Sequence, residues 1–145
     1  DFCLSRGLGD VYKRQLMKRY IKWFAITIFI SMLSACARTA PVQQISTTVS
    51  VGHTQEQVKN AILKAGAQRK WIMTQVSPGV IKARYQTRNH VAEVRITYTA
   101  TYYNIKYDSS LNLQASDGKI HKNYNRWVRN LDKDIQVNLS TGATL

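Results

Sequence analysis

Val80-Ile81-Lys82-Ala83-Arg84-Tyr85-Gln86-Thr87 alternates apolar and polar side chains, and this stretch decides the fold. Successive side chains of a strand point to opposite faces, so Ile81, Ala83 and Tyr85 share one face and Lys82, Arg84 and Gln86 the other. The same period of two extends in both directions. Before it lie the β-rich run Lys70–Val76 and the turn residues Ser77-Pro78-Gly79. After it, a turn near Arg88-Asn89-His90 leads to a run in which Val94, Ile96 and Tyr98 oppose Glu93, Arg95 and Thr97. Tyr103, Ile105 and Tyr107 then oppose Tyr102, Asn104 and Lys106. Connections this short predict an antiparallel meander, because parallel pairs need crossovers of a dozen residues or more. Clean alternation predicts one buried and one solvated face.

Two amphipathic helices flank the meander. Thr54-Gln55-Glu56-Gln57 has the spacing of a capping box, and Val58, Ala61, Ile62 and Ala65 follow at helical intervals. Gly66 is suited to a left-handed closing residue, so the spacing predicts a helix over 54–66. Near the C-terminus, Tyr124, Trp127, Val128, Leu131 and Ile135 line one helical face, with Arg126, Arg129, Asn130 and Lys133 on the other. Asp108 to Lys119 reads as a polar connection and 138–145 as a tail. Upstream, Ile45, Thr47, Val49 and Val51 alternate as an edge strand. The order predicts an α+β domain over 45–137: an antiparallel sheet of four to five strands, with both helices packed on its apolar face. This two-layer arrangement is similar in topology to helix-grip-like domains.

The N-terminal region carries an address. Met17-Lys18-Arg19-Tyr20-Ile21-Lys22 is basic, Trp23 to Met32 is largely apolar, and Leu33-Ser34-Ala35-Cys36 follows. Charge, apolar run and small residues in that order mark a secretory signal, and the run falls short of the ~20 apolar residues that span a bilayer. Leu33-Ser34-Ala35-Cys36 resembles a lipobox, the processing motif of bacterial lipoproteins of the Gram-negative type. That resemblance implies cleavage before Cys36, lipidation of Cys36 and anchoring of the mature chain to a membrane of the cell envelope. Ala37 after the cysteine implies the outer membrane, facing the periplasm. Residues 17–35 are then the signal peptide and 36–44 a lipidated tether. Residues 1–16 resemble a translated sequencing adapter and are expected to be foreign to the protein. With Cys3 in that leader and Cys36 lipidated, no thiol is left for a disulfide, zinc site or nucleophile.

Charge narrows the partners. The 145-residue chain carries a net +13. From Cys36 onward, 15 Lys or Arg stand against six Asp or Glu. Inside a cell this excess would suggest nucleic acid. For an exported protein it points instead to anionic lipid, a cell-wall polymer or an acidic envelope protein. Lys82, Arg84, Arg95 and Lys106 project together from the wet face of the meander, with Glu93 as their counter-charge. They are the first candidate binding set.

Chemistry is sparse. There is no Gly-rich phosphate loop, Gly-x-Ser-x-Gly elbow or His-Glu-x-x-His helix. His53, His90 and His121 do not cluster with acids at ligand spacing, so no metal and no cofactor is expected. The polar-aromatic stretches around Tyr107 and Ile120–Trp127 allow a second candidate site. There Tyr124 and Trp127 would serve as walls, with His121, Asn125 and Arg126 as contacts. The plainer reading buries Tyr124 and Trp127 in the helical stripe and makes His121 or Asn123 a helix cap. Two functions follow from the residues: a non-catalytic binding component of the envelope, or a hydrolase of a cell-wall polymer acting through Asp108 and His121 beside Ser109-Ser110.

Overall fold

Four consecutive strands realise the alternation: β3 (Ile72–Ser77), β4 (Val80–Thr87), β5 (His90–Tyr98) and β6 (Tyr102–Leu111). With β2 (Ile45–Thr48) they form a five-stranded antiparallel sheet in the order β2-β6-β5-β4-β3. The computed structural model describes Met17, Lys18, Tyr20 and residues 38–142. The leader, most of the signal segment and Cys36 lie outside the described residues. Arg38–Leu145 is a compact unit in its own right.

Register turns the period of two into a core. Ile81 faces Ile96, Ile96 faces Ile105 and Ile105 faces Ile45, so isoleucines run across four neighbouring strands. Ile81, Ile96 and Ile105 are fully buried. Burial of a side chain of this size contributes roughly 1.5–3 kcal/mol. Pro78-Gly79 closes the β3–β4 hairpin, where Gly79 takes the φ of +80° that a side chain would resist.

The covering layer is α1 (Gln55–Gln68) and α2 (Lys122–Gly142), packed against each other. Thr54 and Gln57 form the expected capping box: the Gln57 amide donates to Thr54 Oγ1 at 3.2 Å, and the Thr54 amide to Gln57 Oε1 at 2.9 Å. Tyr124, Val128, Leu131 and Ile135 are fully buried. Trp127 is half-buried and meets Tyr85 at a tilt, with ring centroids 4.9 Å apart, and Tyr85 in turn meets Trp71 at 5.2 Å. Tyr124 meets Tyr107 edge-on at 5.6 Å.

Five of the differences from the sequence reading have a local reason. Gly66 does not close α1 but lies inside it, where a Cβ would collide with the Met73 side chain of β3. The helix continues to Gln68, and Lys70 takes the left-handed conformation instead, at φ +62°. β2 stops at Thr48, after which Val49 turns into the core while Val51 is exposed. β6 runs through Asp108 to Leu111 instead of ending at Tyr107. A bulge opposite Glu93 and Val94 absorbs Asp108 as an extra residue and keeps the pairing alive. α2 extends to Gly142, because Leu139 continues the buried stripe one turn beyond Ile135.

The fifth difference lies in the expected tether. Thr39–Pro41 is a strand, β1, paired with β7 (Lys119–His121). Asp117-Gly118, at φ +50° and +72°, makes a two-residue turn between Ser116 and Lys119 whose twist suits a hairpin. That turn presents β7 to the incoming chain, and Val42 donates its amide to Gly118 O at 2.9 Å.

Candidate binding surface on the exposed sheet face

Alternation sends Lys82, Arg84, Arg95 and Lys106 to the solvent side of β4, β5 and β6. Lys82 lies directly opposite Arg95, and Arg95 directly opposite Lys106. Like charges in facing positions repel. Relief comes from two carboxylates, one more than the sequence reading allowed. Lys82 Nζ is 3.1 Å from Glu93 and 3.3 Å from Asp108. Arg84 is 3.6 Å from Glu93, and Arg95 is 3.7 Å from Asp108. Asp108 reaches this face because β6 continues past Tyr107. Ser109 donates to Glu93 at 2.6 Å. That bond, followed by Lys82 and Arg84, holds the Glu93 carboxyl below its usual range. Glu93 and Asp108 in turn push the Lys82 ammonium up.

Among the described residues, Lys106 makes no ion pair. The same side of the sheet exposes Ile72 on edge strand β3 and Tyr102 on β6. It is thus a mixed surface, with exposed apolar side chains on the same face as the cations.

The second candidate set does not converge. Asn125 is buried and structural: its Oδ1 accepts from the Gln43 amide at 3.0 Å and its Nδ2 donates to Pro41 O at 2.9 Å. It clamps the β1–β2 connection onto α2. His121 stands at the start of α2, where Nδ1 accepts from the Asn123 amide at 3.2 Å. This is the capping role, and the ring stacks on His90 at 6.5 Å. Arg126 is exposed on α2. Tyr124 and Trp127 belong to the core side of the helix. Asp108 is engaged by Lys82 and Arg95 on the outer sheet face, and Ser110 Oγ meets Tyr107 Oη at 2.9 Å. Among the described residues no hydrogen bond or ion pair joins Asp108, Ser109 or Ser110 to His121.

Two features escaped the sequence reading. Asp132 on α2 receives Tyr103 Oη at 2.6 Å, Thr47 Oγ1 at 3.0 Å and Gln136 Nε2 at 2.8 Å. His53 has both ring nitrogens against carbonyls, Nδ1 on Ser50 O and Nε2 on Leu139 O, each at 3.0 Å. A neutral imidazole has one N–H, so only the imidazolium donates to both. The Ser50 and Leu139 carbonyls accordingly push its pKa up, against a small opposing effect of burial. Leu139 O lies in the last turn of α2, where a positive charge also suits the helix dipole.

A raised pKa makes stability greatest below the unfolded histidine value, about 6.5, and this contribution fades as pH rises through the folded value. The melting temperature of the protein should therefore fall between mildly acidic and mildly alkaline pH, and His53→Gln should flatten that slope. An unchanged slope in the variant would show that His53 does not titrate with folding.

Two hollows adjoin this corner. One of about 190 Å³ lies between α1 and the end of α2, lined in part by His53, Gln57, Lys64 and Asn138. The other, about 210 Å³, lies between Thr47–Ser50 and α2. Both are smaller than the ~300–1,000 Å³ of ligand pockets. Among the described residues no three His, Cys, Asp or Glu side chains gather as metal ligands, and no helix is long and apolar enough to cross a membrane. No protein-family model matches the chain, and no curated protein matches it.

Proposed function

We propose that the protein is an envelope lipoprotein, anchored through Cys36 to the outer membrane and facing the periplasm, whose domain works by binding without catalysis. The sheet face is its contact surface, and an acidic protein is its partner. The observation that carries this reading is the row Lys82–Arg95–Lys106, three cations in register on adjacent strands and only partly neutralised. A partner carboxylate facing Lys106 would relieve the repulsion that the two internal carboxylates leave. Exposed Ile72 and Tyr102 on the same face favour a protein surface over a polysaccharide, since they supply apolar area to a contact core.

The anchor is tested by mass spectrometry of the chain recovered from envelopes: an acylated N-terminal Cys36 is expected, and an unlipidated soluble product would end the lipoprotein reading. The surface is tested by salt-sensitive capture from envelope extracts, which Arg95→Glu with Lys106→Glu should abolish while circular dichroism stays native. Capture of purified cell-wall polymer in place of protein would overturn the partner class.

A further inference from the structure

The outer face of α2 carries a second concentration of charge. Lys122, Arg126, Arg129 and Lys133 recur at i, i+4, i+7 and i+11, and all four are exposed. At 100° per residue they fall within an arc of roughly 60°, and they extend over ~16 Å of helix axis. Tyr124, Val128, Leu131 and Ile135 fill the opposite side and face the core. The carboxylates of α2 are turned away from the stripe: Asp132 is held by Thr47, Tyr103 and Gln136, and Asp134 by Arg69. Among the described residues none of the four cations makes an ion pair. The first turn of α2 contains no acidic residue, so Lys122 stands unaided at the positive end of the helix dipole. An external anion would relieve both effects. On the sheet face, by contrast, Glu93 and Asp108 already answer three of the four cations.

The covalent path to the anchor ends at the same place. Arg38 O accepts from the Lys122 amide at 3.1 Å, so the folded unit begins at the head of the stripe. Cys36 precedes Arg38 by two residues, which reach at most ~7 Å when extended. Exposed Lys119 on β7 adds charge to this end.

We infer that the α2 stripe lies on anionic phospholipid headgroups, holding the helix layer against the bilayer and leaving the sheet face turned outward. The geometry rests on the reading of Cys36 as lipid anchor; the electrostatics do not. Each cation near a charged membrane surface contributes about fivefold to partitioning.

The test uses the chain from Arg38 onward, which contains the whole core and lacks the anchor. It should bind phosphatidylglycerol–phosphatidylcholine vesicles at low salt, bind phosphatidylcholine alone much less, and release as salt screens the contact. Arg126→Glu, Arg129→Glu and Lys133→Glu together should reduce binding by more than about 100-fold, because each reversal removes a cation and adds an anion. The milder Arg126→Gln, Arg129→Gln and Lys133→Gln set should weaken it by less while keeping the native circular dichroism. Arg95→Glu with Lys106→Glu should leave vesicle binding nearly unchanged. No preference for phosphatidylglycerol, or loss through the sheet variant instead of the helix variant, would overturn the proposal. Since this chain starts after Cys36, its result is independent of the mass measurement that tests lipidation.

Discussion

Leu131→Ala should lower the unfolding free energy by about 2–5 kcal/mol, the range for emptied buried leucine sites. Leu131 is fully buried on α2, one turn after Val128 and one before Ile135, both equally enclosed. Truncation removes apolar contact and leaves a void that rigid neighbours fill only in part. For a domain of ordinary stability, about 5–15 kcal/mol in total, that is a large fraction. Urea titration would read it as a shifted midpoint with an unchanged slope. Arg129→Ala, two residues earlier on the exposed face, should change stability by less than about 0.5 kcal/mol. Equal effects at the two positions would mean that α2 does not bury the face described.

What could be read from the chain and what could not divides along the range of the interactions. Alternation from Val80 to Tyr107 and the stripe from Tyr124 to Ile135 depend on near neighbours, and both emerge as strands and helix with the expected faces buried. The Thr54–Gln57 box is more local still. The sheet cations were likewise legible, because parity alone places Lys82, Arg84, Arg95 and Lys106 on one side. Asp108 was not, since its arrival there depends on a bulge that only the partner strand reveals. Asp117-Gly118 is a hairpin signal, but β7 after it and its partner β1 are only three residues long, too short to show a period of two. Asn125 shows the opposite failure. A polar side chain beside a buried stripe looks like a contact for a ligand, and its true partners, Pro41 and Gln43, lie more than 80 positions away.

Asp132→Ala should cost about 2–4 kcal/mol, because hydrogen bonds to a charged group are each worth roughly 1.5–3 kcal/mol and the loss leaves enclosed donors behind. Asp132 binds Thr47 on β2 and Tyr103 on β6, 85 and 29 residues distant, so one carboxylate pins α2 to the edge of the sheet. The Tyr103 side chain is fully buried, and its phenol would lose its 2.6 Å acceptor while the Asp132 carbonyl stays at 3.5 Å. Asp132→Asn keeps one acceptor oxygen and should lose less than Ala does. A double-mutant cycle with Tyr103→Phe separates this contact from general disturbance: a coupling above about 1 kcal/mol is expected for directly bonded partners. Additive losses would show that the two side chains act independently. The same contact sets an alkaline limit. Burial first, and Asp132 second, push the Tyr103 phenol far above its ordinary range. Its contribution is complete below the unfolded tyrosine value near pH 10 and is lost as pH climbs toward the folded value. Tyr103→Phe should therefore be less stable than the parent at neutral pH, and that deficit should shrink as the pH is raised above 10.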